Sequence, residues 1–140
     1  MIIVKSREEI ELMRESALIV SKTLGMIASE IKEGVTTLYL DKLAETFIRD
    51  HGAEPSFLGL YDFPNSLCMS PNAQVVHGIP NNKPLESGDV ISVDCGAYKN
   101  GYHGDHAYSF EIGEVAPETK KLLQITKESL YVGIREFKWG

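Results

Sequence analysis

Val90-Ile91-Ser92-Val93-Asp94-Cys95-Gly96-Ala97 is a strand with a carboxylate set inside it. Apolar and β-branched residues dominate the run, and turn formers flank it, Ser87-Gly88-Asp89 before and Lys99-Asn100-Gly101 after. The second turn sends the chain back along Tyr102–Glu111, so a hairpin is expected with Asp105 on its return arm. Side chains alternate along a strand, and pairing arithmetic therefore decides where the two carboxylates go. With Lys99-Asn100 as the loop, Asp94 faces Asp105 directly. With Asn100-Gly101 as the loop, Asp105 faces Gly96, on the same side as Asp94. A three-residue loop would put them on opposite faces.

Asp is disfavoured in strands, and an isolated carboxylate in a run that asks to be buried needs compensation. Two carboxylates on one face repel, and in contact they share a proton or bind a cation. Oxygen ligands suit hard or borderline divalent ions such as Mn²⁺, and an added imidazole widens the choice to Fe, Co or Zn. Spacing alone leaves the alternative of two solvated aspartates on an exposed hairpin face.

The rest of the chain surrounds this hairpin with helices. Ser6-x-x-Glu9 is a capping box, and Ile10, Met13, Ala17, Val20, Leu24, Ile27 and Ile31 recur at helical spacing, predicting a helix from about 6 to 32, stopped by Gly34. Thr36 or Thr37 caps a second helix with a stripe of Leu40, Leu43, Phe47 and Ile48, ended by Gly52. Short strands are predicted near Ser66–Ser70 and Gln74–His77, separated by the turn Ser70-Pro71-Asn72-Ala73, with another turn at Asn81–Pro84. Ala116-Pro117-Glu118 opens a last helix with Leu122, Leu123, Ile125, Leu130, Ile134 and Phe137 on an apolar face. Helices, then strands, then a helix make an α+β order in one domain, 1–140.

Composition narrows the function classes. The net charge is −6 and no Lys/Arg cluster stands out, so nucleic acid is not an expected partner. No apolar run approaches a membrane span, and Met1-Ile2-Ile3-Val4 followed by charge lacks the order of a secretory signal. No membrane association and a cytoplasmic location are expected. Cys68 and Cys95 read as buried thiols rather than a disulfide framework. His77 sits at a predicted strand end, before Gly78-Ile79-Pro80, as a candidate proton carrier or hydrogen-bond donor. By parity His103 shares the face of Asp105 and could join or orient the site, while His106 points away; His51 ends a helix as a partner of its C-terminal dipole.

Four ordered motifs then resemble the type I methionine aminopeptidases, metallopeptidases of the pita-bread fold. They are Glu54-Pro55-Ser56-Phe57 through Phe63-Pro64; Ser70-Pro71-Asn72-Ala73-Gln74-Val75-Val76-His77-Gly78-Ile79-Pro80; Gly88-Asp89-Val90-Ile91-Ser92-Val93-Asp94; and Gly101-Tyr102-His103-Gly104-Asp105. The likeness runs from about residue 4 to residue 138. It implies two related α+β halves around a curved antiparallel sheet, this chain being the N-terminal half: two N-terminal helices, the sheet, and one C-terminal helix. It implies two divalent metal ions (Co, Mn, Fe or Zn), with Asp94 and Asp105 as ligands and His77 hydrogen-bonding the substrate's scissile region. Phe63 and Cys68 match positions lining the pocket for the methionine side chain. Where the family often reads GYxGFP, this chain has Gly59-Leu60-Tyr61-Asp62-Phe63-Pro64, so the pocket aromatic is replaced by Leu60 or shifted to Tyr61.

The implied reaction is removal of the initiator methionine from nascent polypeptides. The family's second half supplies a His and two Glu as further ligands and a second substrate-side His, with no matching positions here. The chain is therefore expected to be a truncated half, inactive or nearly so alone, with doubtful metal occupancy. The alternative expectation is a non-catalytic half-domain that folds, dimerises through the uncovered half-sheet, and binds metal or peptide weakly.

Overall fold

In the computed structural model, which describes residues 3–138, the capping box at Ser6 forms as expected. Glu9 N–H donates to Ser6 Oγ at 3.2 Å and Ser6 N–H donates to Glu9 Oε2 at 2.7 Å, starting helix α1 (Arg7–Glu30). The buried stripe of α1 is turned from the expected one. It comprises Ser16, Ile19, Val20, Thr23, Leu24 and Ile27, while Ile10, Met13 and Ala17 are exposed. Two hydroxyls can occupy the inner face because carbonyls satisfy them: Ser16 Oγ donates to Tyr102 O at 2.9 Å, and Thr23 Oγ1 donates to Ile19 O at 2.9 Å. Thr36 caps α2 (Thr37–Asp50), which buries Thr37, Leu40, Asp41, Ala44 and Ile48; Leu43 and Phe47 are half-buried.

Four antiparallel strands follow: β1 (Glu54–Pro55), β2 (Leu67–Pro71), β3 (Val90–Lys99) and β4 (Tyr102–Glu111). β3 is central. β4 pairs with one edge, and β1 and β2 lie end to end along the other, opposite Tyr98–Ala97 and Cys95–Ile91. The β3–β4 loop is the two residues Asn100 (φ 53°) and Gly101 (φ 87°), both left-handed as a tight hairpin turn demands. Ile91, Val93, Cys95 and Ala97 of β3 are buried in one core with Val20, Leu24, Ile27, Leu40 and Ile48 of the two helices. The opposite face of β3, carrying Ser92, Asp94 and Gly96, is thereby left for other work.

The strand expected at Gln74–His77 does not form. This stretch is irregular. Gln74 N–H donates to Pro71 O at 3.1 Å as a turn, and the ladder-like ties to β2 are made by the next residue: Met69 N–H donates to Gly78 O at 2.8 Å, and Gly78 N–H donates to Ser70 Oγ at 3.0 Å. The last helix, α3 (Pro117–Glu136), has Pro at its first turn but buries none of its residues.

Candidate metal centre

The register decides between the two even-length loops. Gly96 pairs with Asp105 and Asp94 with Ala107, so the carboxylates are diagonal neighbours on one face. Asp94 Oδ1 is buried and, among the described residues, has no hydrogen-bond partner. Burial pushes the Asp94 carboxyl up from its ordinary value of 3.8, and the charge of Asp105 and a hydrogen bond shared with it push it further. His77 and the Cys95 backbone N–H pull in the other direction. These are the marks of a pair of carboxylates wanting a proton or a cation between them.

Cys68 pairs with Asp94 across β2 and β3, so its thiol shares the face of the pair. Burial first, then Asp94, Asp105 and Asp41, push that thiol up to about 11. Cys95 points the other way, into the core, where burial ahead of the same two aspartates pushes it up to about 12. Both cysteines are free and buried, as expected.

His77 is exposed and has φ 57°, a left-handed backbone. Such a conformation costs a non-glycine residue about 1 kcal/mol and persists only where neighbours impose it. Gly78 is that neighbour. A Cβ there would collide with Met69 O, so only glycine lets the backbone press against β2 and carry His77 within charge range of Asp94. Asp94, Asp105 and Cys68 thus share one face of the sheet, and the charge of His77 reaches Asp94. Phe63 is half-buried at the end of a short 3₁₀ turn, Leu60–Asp62. Tyr61, in the same turn, is 96% exposed, so the aromatic that the sequence offers there stands in solvent.

His103 shares the face of Asp105 as parity requires, but its partners are Ser56 Oγ, 2.9 Å from Nδ1, and the ring of Tyr98, centroids 4.6 Å apart. His106, paired with Cys95, lies on the other face. His51 caps α2 with Nδ1 2.8 Å from Phe47 O.

Sequence reasoning missed two supports of the site. Asp41 is buried, accepting from Ser66 N–H (2.9 Å) and Leu67 N–H (2.8 Å) on Oδ1 and from Asn65 Nδ2 (2.8 Å) on Oδ2. It fixes the entry to β2 immediately before Cys68. The signal was a carboxylate beside Leu40 on an apolar helix face. The second is Gly96, where a Cβ would lie 2.8 Å from the Phe57 ring and from Ser56 Cβ. The glycine lets the loop after β1 lie over the sheet beside the carboxylates.

Residues 11–140 match the model of metallopeptidase family M24. The chain belongs to this family. It is 48% identical over 136 residues to the methionine aminopeptidase of Clostridium perfringens, covering 97% of this chain and 55% of that protein. It is 47% identical over 140 residues to methionine aminopeptidase 1 of Bacillus subtilis, covering 100% and 56%. Among solved structures, the Thermotoga maritima methionine aminopeptidase superposes with TM-score 0.96 at 33% identity, over 100% of this chain and 57% of that one. The chain spans about half the length of these relatives, and its fold is the N-terminal half of the pita-bread fold.

Membership of M24 implies divalent metal ions. The residues present fit such an ion: two carboxylates on one strand face, one with a buried, unpartnered oxygen, are hard donors of the right charge. Among the described residues they form no cluster of three or more metal-ligating side chains. Asp94 and Asp105 are the side chains that would hold such an ion.

Proposed function

We propose that this chain carries the first half of a methionyl aminopeptidase site, which removes the initiator methionine from nascent polypeptides. The observation that carries this reading is the Asp94/Asp105 pair on one face of a hairpin, with an orphaned Asp94 oxygen and His77 beside it. The relatives' names support the substrate class. Asp94 and Asp105 would hold the metal, two ions by resemblance, from among Co, Mn, Fe or Zn. Bound metal supplies Lewis acidity toward the scissile carbonyl and an anchor for the substrate's free amine.

The protein groups have separate tasks. His77, on its imposed backbone turn, hydrogen-bonds the scissile region of the peptide. Phe63 and Cys68 bound the space for the methionine side chain, while Tyr61, which the resemblance also offered, stands in solvent. Cys68 suits that wall because its thiol stays protonated, uncharged and apolar at neutral pH. A cytoplasmic location accompanies this role, since nascent chains emerge there. No helix among the described residues is long and apolar enough to cross a membrane.

The second reading is a non-catalytic half-domain that binds metal or peptide weakly and self-associates. Two observations favour it: the described residues hold no three-ligand cluster, and α3 buries none of its side chains. Assaying the 140-residue chain on Met-Gly-Met with added Mn²⁺ or Co²⁺ separates the two, robust turnover overturning the second. For the pair itself, Mn²⁺ calorimetry on Asp94→Asn and Asp105→Asn should show loss of the weak binding in each. Unchanged affinity in both would remove the metal centre from consideration.

A further inference from the structure

β1 ends at Pro55 opposite Ala97, and β2 begins at Leu67 opposite Cys95. The segment between them therefore leaves and rejoins the same edge of β3 at the level of Gly96, the residue paired with Asp105. Two hydrogen bonds hold its base. Ser56 N–H donates to Gly96 O at 3.0 Å, and Ser56 Oγ lies 2.9 Å from His103 Nδ1. The second bond is unusual in reach: His103 is on β4, so it ties β4 to the end of β1 across the whole width of β3. Tyr98, its cross-strand partner, packs against the imidazole with the ring planes tilted by 39° and limits where that ring can go. The bond forms with either nitrogen tautomer, because a serine hydroxyl both donates and accepts. Above Gly96 the segment then lays the Phe57 ring on the sheet, on the carboxylate face.

We propose that His103 is a positioning residue for substrate, not a metal ligand: through Ser56 it latches the segment 56–63 over the carboxylate face and so sets the width of the space left for the substrate's first side chain. This rests on the aminopeptidase reading for the identity of what enters that space. The latch itself does not. Its energy is that of one exposed neutral hydrogen bond, enough to shift the local opening equilibrium of the segment about three- to tenfold.

The experiment compares Ser56→Ala, His103→Ala, the double variant and His103→Asn with the unaltered 140-residue chain. Amide hydrogen exchange is read across residues 56–63, with α1 as internal reference. Both single variants should lose protection in the segment by a similar factor of about three to ten. The double variant should lose no more than either single one, since both remove the same bond. Asn, whose side-chain amide can take the place of Nδ1, should restore protection. Mn²⁺ affinity should stay within about twofold, and Met-Gly-Met affinity in the presence of Mn²⁺ should fall with the loss of protection. Unchanged exchange in the single variants would overturn the latch, and so would additive losses in the double variant. A His103→Ala loss of Mn²⁺ binding as deep as that of Asp105→Asn would overturn it too, by making His103 a ligand. A latch seen in exchange in a chain that binds no Met-Gly-Met would overturn the substrate role alone, a failure distinct from that of the metal centre, which Asp94→Asn reports.

Discussion

At Asp94 two demands conflict: a strand interior that disfavours charge, and a face that carries a second carboxylate. The conflict has a measurable sign. Burial first and Asp105 second hold the Asp94 carboxyl above its ordinary 3.8, so the folded state binds that proton more tightly than the unfolded chain does. The stability it contributes is complete below the unfolded value and is lost as pH rises through the folded one. Metal-free protein should therefore lose stability on going from pH 3.8 upward through the window just above it, relative to Asp94→Asn, which has no such proton to lose. Urea unfolding of the two proteins across that range tests this, and parallel pH profiles would show that the aspartate is solvated after all. Cys68 yields a second expectation. A thiol near 11 is thiolate to only about 0.1% at pH 8, and thiolate is the reactive form. Iodoacetamide should label the native thiols about a hundredfold more slowly than in urea. Labelling at the same rate would mean that the pocket wall is open and the sulfur ordinary.

Elements are where local chemistry and tertiary packing part company. The capping box of α1, the hairpin turn and the span of β4 were legible because each is set by near neighbours: Ser6 with Glu9, Asn100 with Gly101, and a two-residue alternation. The carboxylate face was legible for the same reason, since parity needs only a loop length. The stripe of α1 was not, because Ser16 is buried by carbonyls of the hairpin turn 83 and 86 positions away in sequence. Val75 and Val76 suggested a strand by composition, yet they are exposed, and the backbone ties to β2 come from the residues on either side, Gln74 to Pro71 and Gly78 to Met69. Asp41 has a tertiary role whose local sign, a carboxylate beside Leu40, does not say which donors it answers. Its carboxylate answers three donors at the entry to β2. Truncation would leave two buried backbone N–H groups without acceptors, a cost of about 3 kcal/mol. Asp41→Ala should accordingly lower the urea midpoint with little change in slope, and a loss below about 0.5 kcal/mol would show that pairing with β3 alone holds β2.

For the whole molecule the decisive asymmetry is between the two faces of the sheet. One is filled by α1 and α2; along β4, α3 stands off the strand and leaves a groove of about 1100 Å³ lined by His106, Ala107, Tyr108, Leu123, Leu130 and Ile134 among others. Leu130 and Ile134 are 60% and 55% exposed, on a helix with no buried residue, and Phe137 just past its end is 93% exposed. Apolar area of this kind, beside a sheet whose β4 edge has no partner strand among the described residues, favours association. The net charge of −6 opposes it, but that repulsion is long-ranged and screened by salt, whereas apolar contact is not. The 140-residue chain should therefore self-associate, more strongly as ionic strength rises, with a mass by light scattering that grows with concentration. Leu130→Glu combined with Ile134→Glu adds charge where nothing is packed, so it should leave the fold intact and return the chain to a monomer. A clean monomer for the unaltered chain at high salt would mean that α3 folds down onto β4 in solution and closes the groove itself. In that case the same double substitution should destabilise the monomer, and a urea titration of the two chains would register it.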